Sequence, residues 1–206
     1  PNAIGLAEAW KLDRRENLAE VEAACDAALA ENPKDQSALH LKGLAALEAG
    51  KPGRAERLLT NALRIDDRQL DTARDLARAR HRQGKLAPAE AVLLEVLARR
   101  QDDAEAFDML AEIQLQKGKV AEAEILCGKA ASLEPDNIRY VSHLAKAALH
   151  HGNWSGAFSA AKIWYDDDPQ DPSACRTVGQ ALLSMGNVAE SFGMLREALR
   201  LDPENH

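Results

Sequence analysis

Glycine recurs at Gly50, Gly84, Gly118, Gly152 and Gly186, 34 residues apart each time, and each follows one apolar periodic segment and precedes another. This is where a helix that ends in a left-handed residue selects glycine, since a side chain there costs roughly 1–2 kcal/mol. Five residues past four of them stand Ala55, Ala89, Ala123 and Ala157, with Ser191 in the fifth place. Small residues there let two helices approach. Seventeen residues past each glycine come Asp67, Gln101, Pro135, Pro169 and Pro203, and Pro33 keeps the same spacing ahead of Gly50. These close each second helix, proline because it cannot extend one. A chain with this phase is a run of helical hairpins, most complete over residues 104–137.

The pattern resembles the tetratricopeptide repeat, a 34-residue helical hairpin with large, small and proline positions at fixed offsets. The central unit carries Phe107, Leu110-Ala111, Gly118, Ala123, Cys127, Ala130 and Pro135. The last carries Cys175, Val178-Gly179, Gly186, Ser191, Leu195, Ala198 and Pro203. The resemblance implies an all-α fold, a right-handed α-solenoid of antiparallel helix pairs. It covers nearly the whole chain as one array over residues 1–206, with repeats at about 2–35, 36–69, 70–103, 104–137, 138–171 and 172–205. Each repeat contacts only its neighbours, so the array counts as one cooperative unit.

Composition fits such a scaffold. Hydrophobic residues make up 46% of the chain but aromatics only 4%, so the core is built of Ala and Leu rather than large rings. A net charge of −7 argues against a nucleic-acid or anionic-membrane surface, which requires a basic excess on one face. No apolar run reaches the roughly 18 residues of a membrane span. Cys25, Cys127 and Cys175 occupy bulky positions of their repeats, are expected to be buried, and show no metal-ligand spacing.

Helices are expected at about 18–31, 37–48, 52–65, 71–83 and 87–99, with the central and later hairpins in the same phase. The first unit is the weakest. A helix over about 4–14 and a polar turn over 13–17 are expected there, with Glu16 where the turn glycine belongs. The fifth unit departs most, having Ala161 then Trp164 where its neighbours have a bulky then a small residue. Trp154, Phe158, Trp164 and Tyr165 concentrate rings in one repeat, either as a local core cluster or as an exposed hot spot centred on Trp154, Trp164 and Tyr165.

Catalytic constellations are thin. No phosphate loop, H-E-x-x-H or G-x-S-x-G is present, and His150-His151, being adjacent on a helix, point about 100° apart and do not chelate together. No metal, cofactor or catalytic residue is expected. The resemblance implies instead that positions 2, 5, 9, 12 and 13 of each repeat line a concave groove. That places Arg74, Arg78 and Arg82 as a basic row, then Glu112 in the fourth unit, Arg139 and Lys146 in the fifth, and Arg176 and Gln180 in the sixth. Two readings account for the alternating charge. Either the cations capture carboxylates of a peptide, or equal positions of adjacent repeats pair as Arg74 with Asp108, Arg78 with Glu112 and Glu112 with Lys146.

The family's two-carboxylate clamp would place Asn and Lys where Leu6/Trp10, His40/Leu44 and Arg74/Arg78 stand. The Asn ladder of glycosyltransferase arrays would fall on Leu41, Asp75, Met109, His143 and Thr177. Neither set matches. The expected function is a non-catalytic scaffold binding a protein or peptide, acidic where it meets the cations. The alternatives are the recruiting arm of a larger enzyme, such as the sulfotransferases or glycosyltransferases that carry similar arrays in bacteria, and self-assembly through an uncapped end at Leu182, Leu195 and Leu199 or through the Trp154–Trp164 cluster. The chain begins at Pro1 without Met and stops at His206 as a seventh unit would start, so it reads as an excerpt of a longer protein, with a cytoplasmic location expected.

Overall fold

The computed structural model describes residues 18–204. The helix expected over 4–14, the turn over 13–17 and the clamp positions Leu6 and Trp10 lie outside them. Among the described residues there are eleven α-helices and no strand. They fall into two compact units, one up to Gln101 and one from Asp102.

In the first unit α1 (Leu18–Glu31) packs on α2 (Gln36–Glu48), which forms a hairpin with α3 (Pro52–Ile65). Beyond it, α4 (Leu70–His81) packs on α3 and forms a hairpin with α5 (Leu86–Arg99). The second unit repeats the plan three times, as α6 (Ala104–Gln116) with α7 (Val120–Leu133), α8 (Ile138–His151) with α9 (Trp154–Asp167), and α10 (Pro172–Ser184) with α11 (Val188–Leu201). In this unit the first helices α6, α8 and α10 touch in sequence while the second helices do not. The first-helix face is therefore the inner, closely spaced side of the unit.

Local chemistry sets each boundary. Asp35, Asp103 and Asp171 cap first helices, their carboxylates accepting from the backbone N–H of Ala38, Ala106 and Ser173. At the other end Gly118 takes φ +75°, and Lys119 N–H reaches back to the Gln114 carbonyl at 2.9 Å, closing the turn of residues that an αL cap satisfies. The same bond links Lys51 to Ala46, Lys85 to Arg80, Asn153 to Ala148 and Asn187 to Leu182, and among the described residues every glycine with positive φ is one of the five in the 34-residue series.

Helix pairs close on the small positions. Leu59 with Ala62, Leu93 with Val96 and Cys127 with Ala130 are buried at the same place in successive second helices, and Ala55, Ala89, Ala123 and Ala157 are fully buried beside them. A Cβ added at Gly43 would lie 2.7 Å from Leu59, and at Gly179 2.8 Å from Leu195, so those first helices sit directly against the facing leucine. The fifth repeat keeps its volume by exchange, as Ala161 and Trp164 are both buried.

The three thiols are interior, as expected. Burial pushes Cys25 up to about 11 and Cys127 to about 12, and raises Cys175 as well.

Candidate functional site

The inner face of each unit is built from first-helix side chains, and its charges are arranged around buried carboxylates. In the first unit Asp75 on α4 is buried between an imidazole and a guanidinium. His40 Nε2, from α2, lies 2.7 Å from Asp75 Oδ2, and Arg78 Nη1 donates to Oδ1 at 2.5 Å. The other two arginines of the basic row are also drawn inward. Arg74 stands 3.4 Å from Asp71, and Arg82 donates to the Leu47 carbonyl at 2.6 Å. Burial works against ionisation of Asp71, yet the hydrogen bond from Arg100 and the charge of Arg74 hold its carboxyl below the usual range.

In the second unit Asp108 on α6 is fully buried. Arg139 Nη2 donates to its Oδ2 at 2.7 Å, and His143 Nδ1 donates to its Oδ1 at 2.6 Å, both from α8. Glu112 stands one turn along α6 from Asp108, and one ligand atom from each of Asp108, Glu112 and His143 lies within 4.8 Å of the others. Lys146 does not join this cluster, since its ammonium lies 4.7 Å above the centre of the Trp164 ring.

The two pairs share one geometry with the residues exchanged. His40 and Asp108 hold the fifth position of their repeats, while Asp75 and His143 hold the sixth position of the next. Each pair is therefore 35 residues apart, not 34. A fifth-position side chain drops between the second and sixth positions of the neighbouring helix, as Asp108 does between Arg139 and His143. Ridge-into-groove packing produces this offset, because a side chain enters the gap between residues four apart.

Further along the inner face α10 presents Arg176, Gln180 and Leu183, one turn apart. Arg176 is half-buried and its hydrogen bond among the described residues goes to Ser173 Oγ at 3.4 Å. Gln180 and Leu183 are exposed. The rings of the fifth repeat separate. Trp164 is 5% exposed, Tyr165 is half-buried against the core cluster that includes Val178 and Leu182, and Trp154, at the start of α9, is 39% exposed.

A tetratricopeptide repeat model matches residues 46–113, and a second matches residues 104–137. This chain belongs to the tetratricopeptide-repeat family. Its repeats share their fold with solved structures. PilF of Pseudomonas aeruginosa superposes with a TM-score of 0.84 at 16% identity, over 98% of this chain and 91% of that one. YrrB, described as a TPR protein with an unusual peptide-binding site, gives 0.74 at 16%, over 88% and 94%. MamA gives 0.71 at 24%, over 83% and 93%. Comparison with curated protein sequences gives no match.

Within this TPR chain the residues singled out from sequence fall into two groups. Arg74, Arg78, Arg82, Arg139 and Lys146 serve contacts inside their own units, whereas Arg176 and Gln180 stand on the inner face of the second unit with Ser173 as the recorded side-chain partner of Arg176. Sequence reasoning placed Asp75 and His143 only as failed ladder residues and missed their pairing. The 35-residue offset between a histidine and an aspartate was the available signal.

Proposed function

We propose that the chain is a non-catalytic scaffold that binds a peptide or protein segment along the inner face of residues 138–184. The observation that supports this reading is the difference between its cations. The basic row of α4 is taken up by Asp71, Asp75 and the Leu47 carbonyl, while Arg176 has one long hydrogen bond and stands beside exposed Gln180 and Leu183. A carboxylate of the bound segment pairs with Arg176, and an apolar side chain lies against Leu183. A hydrogen bond to a charged group contributes about 1.5–3 kcal/mol, so Arg176→Glu should weaken binding by about tenfold or more. Peptides selected from a displayed random library on the wild-type protein provide the probe, with affinity read by fluorescence anisotropy. Selected peptides should carry acidic residues and lose affinity for Arg176→Glu. Peptides that bind that variant and wild type equally would overturn the reading.

A second surface follows α11, where Val188, Phe192 and Leu199 are exposed along one side, Phe192 by 68%. The matching residues of the preceding second helix, Phe158 and Tyr165, are partly buried against a core cluster to which the next first helix contributes Val178 and Leu182. This face suits one more helix of the same type, supplied by a second copy of the chain. Light scattering across a concentration series checks it, with association expected for wild type and abolished by Phe192→Glu. A monomer at the highest concentration would remove this reading.

A further inference from the structure

We propose that Asp108, Glu112 and His143 form a binding site for a divalent transition metal of the zinc class on the inner face of the second unit. The ligand set carries the argument first. Asp108 and Glu112 lie four residues apart on α6 and so share one side of that helix. His143 reaches them from α8, which packs alongside. Three atoms within 4.8 Å of one another leave a point within about 2.8 Å of all three, and bonds of about 2.0–2.2 Å to zinc then need only a shift of under an ångström from each side chain. One imidazole and two carboxylates suit zinc, whereas magnesium and calcium favour oxygen ligands alone.

The supporting groups are those of a built site. Arg139 holds Asp108 Oδ2, which leaves Oδ1 turned toward His143. A partner that fixes the far oxygen of a carboxylate orients the near one for a metal. A ligating imidazole is neutral, so the Nδ1 of His143 gives up its proton as the metal binds and the ring keeps its proton on Nε2. The remaining coordination position is filled by water. Lys146, three residues beyond His143 on α8, is drawn onto the Trp164 ring.

The first unit supplies an internal comparison. Its His40–Asp75 pair repeats the geometry, but Leu44 occupies the place equivalent to Glu112, and Arg78 lies 2.5 Å from Asp75. The pair without a third ligand carries a guanidinium at its open corner. Only the second unit has an acidic side chain there.

Untagged protein stripped with chelator and titrated with zinc chloride by isothermal calorimetry tests the assignment. Wild type should take up one equivalent. Loss of a mere outer partner lowers metal affinity 10–100-fold, so Glu112→Gln should weaken zinc by about tenfold or more. That variant leaves Arg139 and His143 on Asp108, and circular dichroism verifies its fold. His143→Gln should show the same loss. His40→Gln and His151→Gln should bind as wild type does, the latter removing the exposed contact between His151 and Glu124. An absence of binding by wild type, equal affinity in Glu112→Gln, or loss of zinc in His151→Gln would each overturn the proposal.

Discussion

Trp164→Ala should lower stability by about 3–5 kcal/mol, the range for removing a large buried ring. The side chain is 5% exposed on α9, and its neighbours on that buried face are Ala157, Ala160 and Ala161, which are too short to refill the space. Lys146 loses the ring beneath its ammonium at the same time, a contact worth about 0.5–2 kcal/mol where it is shielded. Denaturant melts of the two proteins measure the difference. A loss under about 1 kcal/mol would mean that the ring is not part of the core. Trp164→Leu should recover part of the deficit, because it keeps apolar volume at a site built to receive it.

The second large effect is expected at Leu110, which is 3% exposed on α6. Leu110→Ala should cost about 2–5 kcal/mol, depending on how far α6 and its neighbours relax around the space left. This residue sets the phase of the whole reading, since it stands eight residues before Gly118 as Val178 stands eight before Gly186. Denaturant melts read this change as well, and a loss below about 1 kcal/mol would place the repeat frame in error. Because contacts in such arrays run between adjacent helices, both substitutions should act most strongly on the repeats that flank them.

The hairpins were legible because two constraints act on single residues at a fixed interval. Gly118 is forced by a positive φ that other side chains resist, and Ala123 is buried against a facing helix. Both requirements are local, so spacing alone reveals them, and the helices at 18–31 and 52–65 stand where the pattern placed them. The capping aspartates follow the same logic. Side-chain partners across neighbouring helices were not legible by the same count. Pairing equal positions assumes that first helices lie in exact register, whereas Asp108 enters the gap between Arg139 and His143 and takes partners 31 and 35 residues away. Lys146 shows the second reason. Its choice of Trp164 over Glu112 depends on a ring displaced by one turn in the fifth repeat, and nothing in the charge pattern registers that displacement.

That packing also explains why the inner face divides as it does. A cation whose neighbour offers a buried carboxylate is drawn to it, as Arg78 is to Asp75, and a charge so used adds little to recognition. The arginine on α10 meets a serine instead. Basic residues spaced four apart therefore mark a helix face without marking a binding site, and the acceptors within reach of each guanidinium decide between the two.

The three interior thiols give the chain a further property. Cys25, Cys127 and Cys175 sit on three separate helices, α1, α7 and α10, and burial holds each in the unreactive protonated form. An alkylating reagent can reach each sulfur only while the packing around its own helix is open. The pace at which each one is modified therefore clocks that local opening, so the protein carries three native stopwatches for local unfolding along its length.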